Sequence, residues 1–436
     1  MRSGYRQTEV GLIPREWELK PLGSVLLKGR LGGNYANQLE ATEFPLMKMG
    51  NVARGYIDTT KVEYIAKGAV PDPQHRLREG DVLFNTRNTV DFVGKVAIWR
   101  NELPVAYYNS NLMRLELDPR YVCSNAYANA ALNSAASITV LRGLATGTTS
   151  VAAIYTRDLL GMPFITPPLH EQRAIAEALS DVDALLGELD RLIAKKRDLK
   201  QAAMQQLLTG QTRLPGFGPT VRFRRHAYGS VPADWDVKPF RLVSTMSGRI
   251  GWQGLKQDEF TQDPDDPFLI TGMNFKDGKI RWEEVYHIPE RRYFEAPPIQ
   301  LRTNDILMTK DGTIGKLLFV DSIPHPGRAS LNSHLLVFRP INRQYESKYL
   351  FYQLNSPTFA QHIELHKSGS TFYGLTQDAT GKYPVILPTV PEQTAIAEVL
   401  SDMDAELAAL EQRRDKTRAL KQGMMQELLS GRTRLV

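Results

Sequence analysis

The sequence predicts an α+β fold in which two similar globular domains are separated by two long antiparallel α-helices that form a coiled coil. Three observations predict this fold and an internal pseudo-two-fold duplication. A long segment of the 436-residue chain occurs twice. Each copy ends in a helical stretch whose apolar residues follow a heptad pattern. Short apolar runs between Gly and Asn turns, typical of strands, precede each helical stretch.

The duplication is clearest in the helical stretches. EQRAIAEALSDVDALLGEL (171–189) returns as EQTAIAEVLSDMDAELAAL (392–410), and LKQAAMQQLLTGQTRL (199–214) returns as LKQGMMQELLSGRTRL (420–435), both 221 residues later. A repeat of half the chain indicates a duplicated domain-plus-helix and not a solenoid of small repeats. We therefore divide the chain into two globular domains, each followed by a helical spacer: 1–166, 167–214, 215–387 and 388–436.

The globular domains match more loosely. VGLIPREWELKPL (10–22) aligns with YGSVPADWDVKPF (228–240), and we interpret their shared Trp17 and Trp235 as core anchors. Residues 121–135 and 347–365 are predicted helices. The predicted strands are DVLF, KVAIW and LMRLEL in the first half and DILM, KLLFV and HLLVF in the second.

The two helical stretches carry matched apolar seams. Alternating steps of four and three residues connect Ile175, Leu179, Val182, Leu186, Leu189 and Ile193, and likewise Ile396, Leu400, Met403, Leu407 and Leu410. About 39 residues of helix extend roughly 58 Å, and a seam of that length on a lone helix would face water. The other copy is its simplest partner, although each helix packing on its own domain is an alternative. Gly210 and Gly431 are expected to end the helices, and Ser180 and Ser401 are alternative restart points.

Composition limits the function classes. The net charge of +6 and pI of about 9.1 permit a polyanionic partner without demanding one. No apolar run is long enough to predict a membrane span, and no secretory signal is visible. Cys123 is the only cysteine, which excludes an intrachain disulfide and a cysteine-based zinc site. We expect a reducing, cytoplasmic location.

Catalytic motifs are absent. DGTIGKL (311–317) is too short between its glycines for a phosphate-binding loop and lacks the Ser/Thr. APPI and TPPL do not present the polar group of an amino-methyltransferase. HIELH (362–366) has Ile where a metalloprotease helix has Glu, so we expect a polar helix face there. DPDDP (263–267) is typical of a loop. We expect a chain that is not an enzyme by itself and that holds no metal or cofactor.

A Gly-Ser/Thr-rich segment, a strand ending in Pro, then EQxxIAxxLSxxD and a long helix occur twice in this order. This pattern resembles the specificity (S) subunit of type I restriction-modification systems, and the resemblance covers essentially the whole chain. It implies that each globular domain is a target recognition domain reading one half of a bipartite, asymmetric site in double-stranded DNA. The helices would space the domains, with roughly 58 Å capping the separation near 17 base pairs at ~3.4 Å each.

The resemblance also implies partners and their cofactors. Two methyltransferase (modification) subunits would bind along the helices, carry S-adenosylmethionine and methylate adenine N6. Two restriction (motor-nuclease) subunits using ATP and Mg²⁺ would join them where the system also cleaves DNA. The alternatives are the specificity chain of a type II-like methyltransferase-nuclease system, a stand-alone nuclease or methyltransferase, and a coiled-coil scaffold with no DNA role.

Candidate DNA-binding residues are polar or cationic and fall at equivalent places in the two halves. Reading bases needs hydrogen-bond donors and acceptors, and holding phosphates needs Lys and Arg. In the first half they are Arg87, Asn88, Lys95, Asn111, Thr148 and Thr149. In the second half they are Lys310, Asp311, Thr313, Lys316, His334, Ser370, Thr371 and Tyr373. The alternative is that these stretches are ordinary turns.

Overall fold

The computed structural model describes residues 4–148, 151–219, 222–226, 228–249, 255–276, 278–369 and 374–435. The chain forms two compact units. The first unit comprises residues 1–191 together with 411–436, and the second comprises 192–410. Because both long helices cross these boundaries, each unit contains the first part of one long helix and the last part of the other.

The first unit contains short strands and three short helices ahead of the first long helix. Its strands are β1 (Tyr5–Thr8), β2 (Gly11–Pro14), β3 (Glu18–Pro21), β4 (Leu26–Leu31), β5 (Asn37–Gln38), β6 (Pro45–Met47), β7 (Glu63–Ile65), β8 (Val82–Asn85), β9 (Arg87–Asn88), β10 (Val96–Ile98), β11 (Tyr107–Tyr108), β12 (Leu112–Leu117), β13 (Thr146–Gly147), β14 (Ala152–Ala153) and β15 (Pro163–Thr166). Its helices are α1 (Asn125–Leu132), α2 (Ala135–Leu144), α3 (Thr156–Gly161) and the start of α4 (Leu169–Leu208).

The core of the first unit is built on two sheets. One is antiparallel in the order β10-β8-β12-β4, and the other has the order β11-β6-β7-β5 with β11 parallel to β6. Strand β8 is buried on both faces, as a continuous apolar run predicts. Phe84 packs in one cluster with Tyr127 of α1, and Leu83 packs in another with Met47 and Tyr108. The central strand is therefore held rigidly from both sides.

The second unit repeats this plan. Its strands are β16 (Phe223–His226), β17 (Gly229–Pro232), β18 (Asp236–Pro239), β19 (Ser244–Ser247), β20 (Phe268–Ile270), β21 (Phe275–Lys276), β22 (Lys279–Ile280), β23 (Tyr286–His287), β24 (Ile306–Thr309), β25 (Leu317–Phe319), β26 (Ala329–Leu331), β27 (Leu335–Pro340) and β28 (Pro384–Leu387). Its helices are α5 (Phe240–Val243), α6 (Glu290–Phe294), α7 (Ser347–Leu354), α8 (Pro357–His366), α9 (Gln377–Gly381) and the start of α10 (Val390–Leu429).

Sheet orders in the second unit mirror those of the first. The order β19-β27-β24-β25 corresponds to β4-β12-β8-β10, and β20 pairs in parallel with β26 as β6 does with β11. The duplication predicted from the sequence therefore extends to strand order and direction, and the predicted runs around β8, β10, β12, β24, β25 and β27 are confirmed as strands.

The long helices pair antiparallel inside each unit. In the first unit Lys421 Nζ lies 2.5 Å from Asp183 Oδ1, and in the second unit Lys200 Nζ lies 2.5 Å from Asp404 Oδ1. These two pairs are repeat equivalents, since Asp404 follows Asp183, and Lys421 follows Lys200, by 221 residues. All eleven residues of the predicted seams are buried or half-buried. The predicted antiparallel coiled coil is thus confirmed within each unit.

The ends of the helices also agree with the sequence. Gly210 and Gly431, just beyond α4 and α10, have φ of +67° and +68°, a conformation that glycine adopts without steric cost. Both helices run unbroken through Ser180 and Ser401, so the alternative of a restart at these serines is wrong.

Two predictions in the globular domains need correction. The stretch 347–365 forms two helices, because the chain turns at Asn355 and α8 restarts with Pro357 in its first turn. The expected polar helix face around His362 is also wrong. His362 is 1% exposed, with Nε2 2.9 Å from the carbonyl of Ala379 and Nδ1 2.7 Å from the Tyr228 hydroxyl. It is a core histidine whose two ring nitrogens both have partners.

Candidate nucleic-acid interface

The end of central strand β8 organises the polar residues of the first unit. The backbone N–H of Thr86 donates to the carbonyl of Asn111 (3.0 Å), and the Thr86 hydroxyl donates to the same oxygen (2.8 Å). On the other side of the strand, the N–H of Asn85 donates to the carbonyl of Lys95 (2.9 Å). Lys95 and Asn111 are therefore fixed on opposite sides of one strand end.

A small three-stranded sheet adds the remaining candidates of the first unit. In the order β13-β14-β9 it aligns Arg87 with Ala153 and Asn88 with Ala152. Thr148, in the β13–β14 turn, is exposed, and its hydroxyl accepts from the N–H of Val151 (3.3 Å). The structure thus brings Arg87, Asn88, Lys95, Asn111 and Thr148 together, and we call this set the first polar edge. Thr149 lies outside the described residues.

The end of β24 forms the second polar edge, defined as Lys310, Asp311, Thr313, Lys316 and His334. The N–H of Lys310 donates to the carbonyl of His334 (2.9 Å), and that of Thr309 donates to the carbonyl of Lys316 (3.0 Å). The Thr309 hydroxyl donates to the carbonyl of Thr313 (2.5 Å), and Asp311 Oδ2 lies 3.2 Å from His334 Nδ1. Ser370, Thr371 and Tyr373 lie outside the described residues.

The two polar edges share one hydrogen-bonded frame. Asn109 Oδ1 accepts from the N–H of Asn111 (3.2 Å), and Asn332 Oδ1 accepts from the N–H of His334 (3.1 Å). These two asparagines were not among the candidates, although the repeated Asn-Ser dipeptide that precedes both candidates marks them. The frame therefore places different side chains, an amide in one unit and an imidazole in the other, at the same position.

Cations lie close together beside the first polar edge. The pKa of Lys95 is lowered by burial and by the charge of Arg54, and the Lys95 ammonium lies 4.3 Å from the centre of the half-exposed Phe92 ring. Burial and the charge of Arg142 lower the pKa of Arg54, whose Nη1 is buried with no hydrogen-bond partner within the described ranges. Arg54 is a further candidate that sequence reasoning missed. Like charges held together in this way favour an anion.

The recurring tryptophans are part of the core. Trp17 is fully buried and Trp235 is 2% exposed, as predicted, so neither is a stacking platform for bases. Trp17 Nε1 donates to Glu171 at 3.3 Å. Among the residues that the structure describes, no group of His, Cys, Asp or Glu could hold a metal ion, and no helix is long and apolar enough to cross a membrane.

A family model for the type I restriction modification DNA specificity domain matches the chain twice, over residues 14–196 and 253–418. The chain belongs to this family. The resemblance drawn from the repeated motifs is therefore confirmed, and each match covers most of one globular domain together with part of its long helix.

Relatives match this specificity chain along its whole length. It is 24% identical over 443 residues to the putative type I restriction enzyme MjaX specificity subunit of Methanocaldococcus jannaschii, covering 99% of the chain and 97% of that relative. It is 23% identical over 439 residues to the MjaVIII specificity subunit of the same organism, covering 97% and 94%.

Solved structures share the fold. The S subunit of a type I restriction-modification system from M. genitalium has a TM-score of 0.59 at 15% identity, covering 94% of this chain and 96% of that one. A chain from a study of complex assembly and conformational transition of the type I system has a TM-score of 0.55 at 18% identity, covering 97% and 99%. The predicted fold class is confirmed.

Proposed function

We propose that the chain selects the DNA sequence for a type I restriction-modification complex, with each compact unit reading one half of a bipartite, asymmetric site. The observation that carries this proposal is the shared frame of the two polar edges. The frame holds Asn111 in one unit and His334 in the other through the same backbone hydrogen bonds. One scaffold with two different sets of side chains suits a site whose halves differ.

The side chains have the chemistry for this task. The Asn111 amide makes no hydrogen bond of its own within the described ranges, and asparagine pairs with adenine N6 and N7 through two hydrogen bonds. In the second edge, Asp311 orients the His334 ring through Nδ1, which leaves Nε2 for a base edge. Lys95 and Lys316 supply charge for phosphates, which fix the register without specifying sequence. We propose that the helices set the gap between the half-sites.

We propose that two methyltransferase subunits dock on grooves that recur in both units. The first groove, of about 710 Å³, is lined in part by Ile13, Ile165, Gln422, Met425, Gln426 and Leu429. The second, of about 320 Å³, is lined by their repeat equivalents Val231, Ile386, Gln201, Met204, Gln205 and Leu208. Two copies of one groove suit two copies of one partner.

The grooves give this part of the proposal its own test. Gln205 and Gln426 are exposed groove residues, so replacing either by Trp fills one groove without disturbing the core. Each single variant is expected to bind one methyltransferase subunit where the wild type binds two, as measured by native mass spectrometry. K195W, at an exposed position of α4 outside the groove, is the control. Two bound subunits in both groove variants would show that the partner docks elsewhere.

We propose that catalysis and cofactors belong to the partners. S-adenosylmethionine would be held by the methyltransferase subunits, and ATP and Mg²⁺ by two restriction subunits where the system cleaves. The specificity chain itself would be non-catalytic and would act in the cytoplasm with its DNA. A methyltransferase partner fused to a nuclease would instead indicate a type II-like system.

The direct test is a genome-wide map of N6-methyladenine with the gene intact and deleted. Deletion is expected to abolish methylation at one two-part asymmetric motif with a fixed unread gap. An unchanged map in cells whose methyltransferase partner is active would refute the proposed function and favour the scaffold alternative.

A further inference from the structure

The first unit has an arginine-lined pocket at the side of its central sheet. The pocket has a volume of about 240 Å³ and is lined by Arg30, Pro73, Gln74, Arg76, Arg78 and Arg114. We propose that this pocket binds one backbone phosphate of the DNA held by the first unit. The inference rests on the proposed function and adds an anchoring site that is separate from the first polar edge.

Arg114 is held in place by the surrounding structure. Its Nη1 donates to the carbonyl of Arg76 (3.3 Å) and to Asp81 Oδ2 (3.2 Å), and its Nη2 donates to the carbonyl of Gln74 (3.3 Å). The guanidinium lies 5.7 Å from the centre of the Tyr108 ring. A guanidinium fixed before a ligand arrives loses little conformational freedom on binding.

Donors remain unused around the pocket. The Nε–H groups of Arg30 and Arg114 are buried and have no hydrogen-bond partner within the described ranges. These two Nε atoms are closed off from solvent, so an anion in the pocket would be bound by the guanidinium groups that remain accessible. Arg76 and Arg78 are exposed, and their guanidinium groups make no hydrogen bond or ion pair with described residues. Phosphate oxygens are acceptors that match guanidinium donors in geometry and charge.

The charges of the pocket do not balance. Asp81 pairs with Arg114 at 3.2 Å, and Glu116 lies 3.4 Å from Arg114 and 3.9 Å from Arg30. Four arginines against Asp81, Glu116 and the neighbouring Asp72 leave an excess of one positive charge. Burial lowers the pKa of the neighbouring His75, and the charges of Arg30 and Arg114 lower it further against the opposing effect of Asp72. A phosphodiester, with its single negative charge, is an anion that such a pocket accepts.

The second unit has the same framework with other side chains at most of these positions. Val337 pairs with Ser247 across the strands as Arg114 pairs with Arg30. The N–H of Arg302 donates to Asp305 Oδ2 (2.8 Å), as that of Arg78 donates to Asp81 Oδ2 (2.9 Å). At the aligned positions only Arg78 has a cationic equivalent, Arg302, since Gln300 stands at the position of Arg76. Arg339 makes the contacts of Arg114 from two residues further along β27, to Asp305 (2.7 Å) and to the carbonyls of Pro298 (3.0 Å) and Gln300 (2.6 Å). The fold therefore uses one arginine at this place in both units, and Arg30 and Arg76 are the additions of the first unit.

The pocket lies along the same chain segment as the first polar edge. Arg114 follows Asn111 by three residues into β12, which places their Cα atoms about 10 Å apart at ~3.3 Å per residue. Side chains three residues apart in an extended chain point to opposite faces, so a phosphate in the pocket would be bound beside the base-reading residues and not among them. The pocket would fix how the first unit sits on its half-site.

The test compares R76A/R78A with wild type in the full-length chain bound to its methyltransferase partner. The probe is a duplex carrying the mapped motif, and affinity is measured from 50 to 300 mM salt. Loss of one phosphate contact is expected to reduce the slope of log affinity against log salt by about 0.9 and to weaken binding at 150 mM salt about fivefold. Both arginines are exposed, and an unchanged melting temperature verifies folding. The single variant R78A is measured beside R302A, which carries the equivalent substitution in the second unit. R302A is the control and is expected to leave the affinity and the slope of log affinity against log salt unchanged.

A second arm locates the phosphate. Single neutral methylphosphonates are placed along both strands of the duplex, and one position in the first half-site is expected to weaken wild-type binding about fivefold. The same methylphosphonate is expected to have no effect on binding by R76A/R78A.

Unchanged affinity and slope in R76A/R78A, or equal effects of R78A and R302A, would overturn the assignment while DNA recognition stands. Loss of the methyltransferase subunit from R76A/R78A would assign the pocket to an acidic protein surface. Failure of the wild-type complex to bind the duplex would instead contradict the proposed function.

Discussion

Replacing Arg213 by alanine tests the ion pair that closes the helix pair of the second unit. Arg213 Nε lies 2.8 Å from Glu392 Oε1 and Nη2 lies 2.6 Å from Oε2, a bidentate contact between side chains that are 8% and 1% exposed. Removing the arginine leaves a carboxylate buried at the first turn of α10 without a counter-charge. Breaking a buried pair from one side costs about 3–5 kcal/mol, so we expect R213A to lower the free energy of unfolding by that amount.

The repeat provides a matched comparison. Arg434 makes the equivalent contact with Glu171, but Arg434 is 26% exposed and the Trp17 indole also donates to Glu171 at 3.3 Å. Trp235 Nε1 makes no such bond within the described ranges. Glu171 keeps one donor when Arg434 is removed, and a hydrogen bond to a charged group contributes about 1.5–3 kcal/mol. We therefore expect R434A to cost about 1–3 kcal/mol, less than R213A.

Urea denaturation of the full-length chain, followed by circular dichroism at the helix band, measures both losses. In R213A/E392Q the carboxylate is replaced by a neutral amide, and at least half of the loss should be recovered. A cost below 1 kcal/mol for R213A, or a cost for R434A equal to that for R213A, would refute the reasoning from burial.

The remaining predictions concern the helix ends, the helix pairing and the core histidine. G210A should lower the melting temperature by several degrees, because φ is +67° and an added Cβ would lie 2.3 Å from Pro232 Cγ, whereas G423A, with nothing within 4 Å, should stabilise α10 by about 0.5–1 kcal/mol; equal effects would contradict this. D183K and K421D should each destabilise by up to about 1 kcal/mol. Because Arg100 also pairs with Asp183 at 3.4 Å, D183K/K421D should recover part of that loss in the same urea titrations; no recovery would argue against the antiparallel pairing. Burial lowers the pKa of His362 from its ordinary 6.5, so the unfolded state binds the proton more readily and stability should fall as pH drops below about 6.5. H362Q should lose this component of the pH dependence in urea titrations at pH 5 to 7.5, and an unchanged profile would show that His362 does not cause it.

The fold was predictable because its main signals are local and repeated. The heptad seams depend on residues three and four positions apart, and the strands on short apolar runs, so both can be recognised without knowing their partners. The register of the helix pair could not be predicted in this way. The contact between Arg213 and Glu392 joins residues 179 positions apart, and the seam alone permits several alignments. The buried His362 was missed for the same reason, because its partner Tyr228 lies 134 residues away in sequence.

The candidate site was predictable only in part. Equivalent positions in the two halves identified the polar edges, and the structure brings the described candidates of each half to one strand end. Contact with DNA remains a prediction for each of them. The arginine pocket could not be found from sequence, because its four arginines come from three distant segments. Pairing of β4 with β12 brings Arg30 to Arg114, and the hydrogen bond from Arg114 to the carbonyl of Arg76 holds the segment with Arg76 and Arg78 beside them.

The central claim is that each unit reads its own half of a two-part site, and the methylation map of two single variants tests it most directly. The map is recorded in cells that carry N111A or H334A in place of the wild-type gene. We expect N111A to relax the sequence of one half of the methylated motif and H334A to relax the other half, with the gap unchanged in both. Relaxation of the same half by both variants, or of neither, would contradict the account.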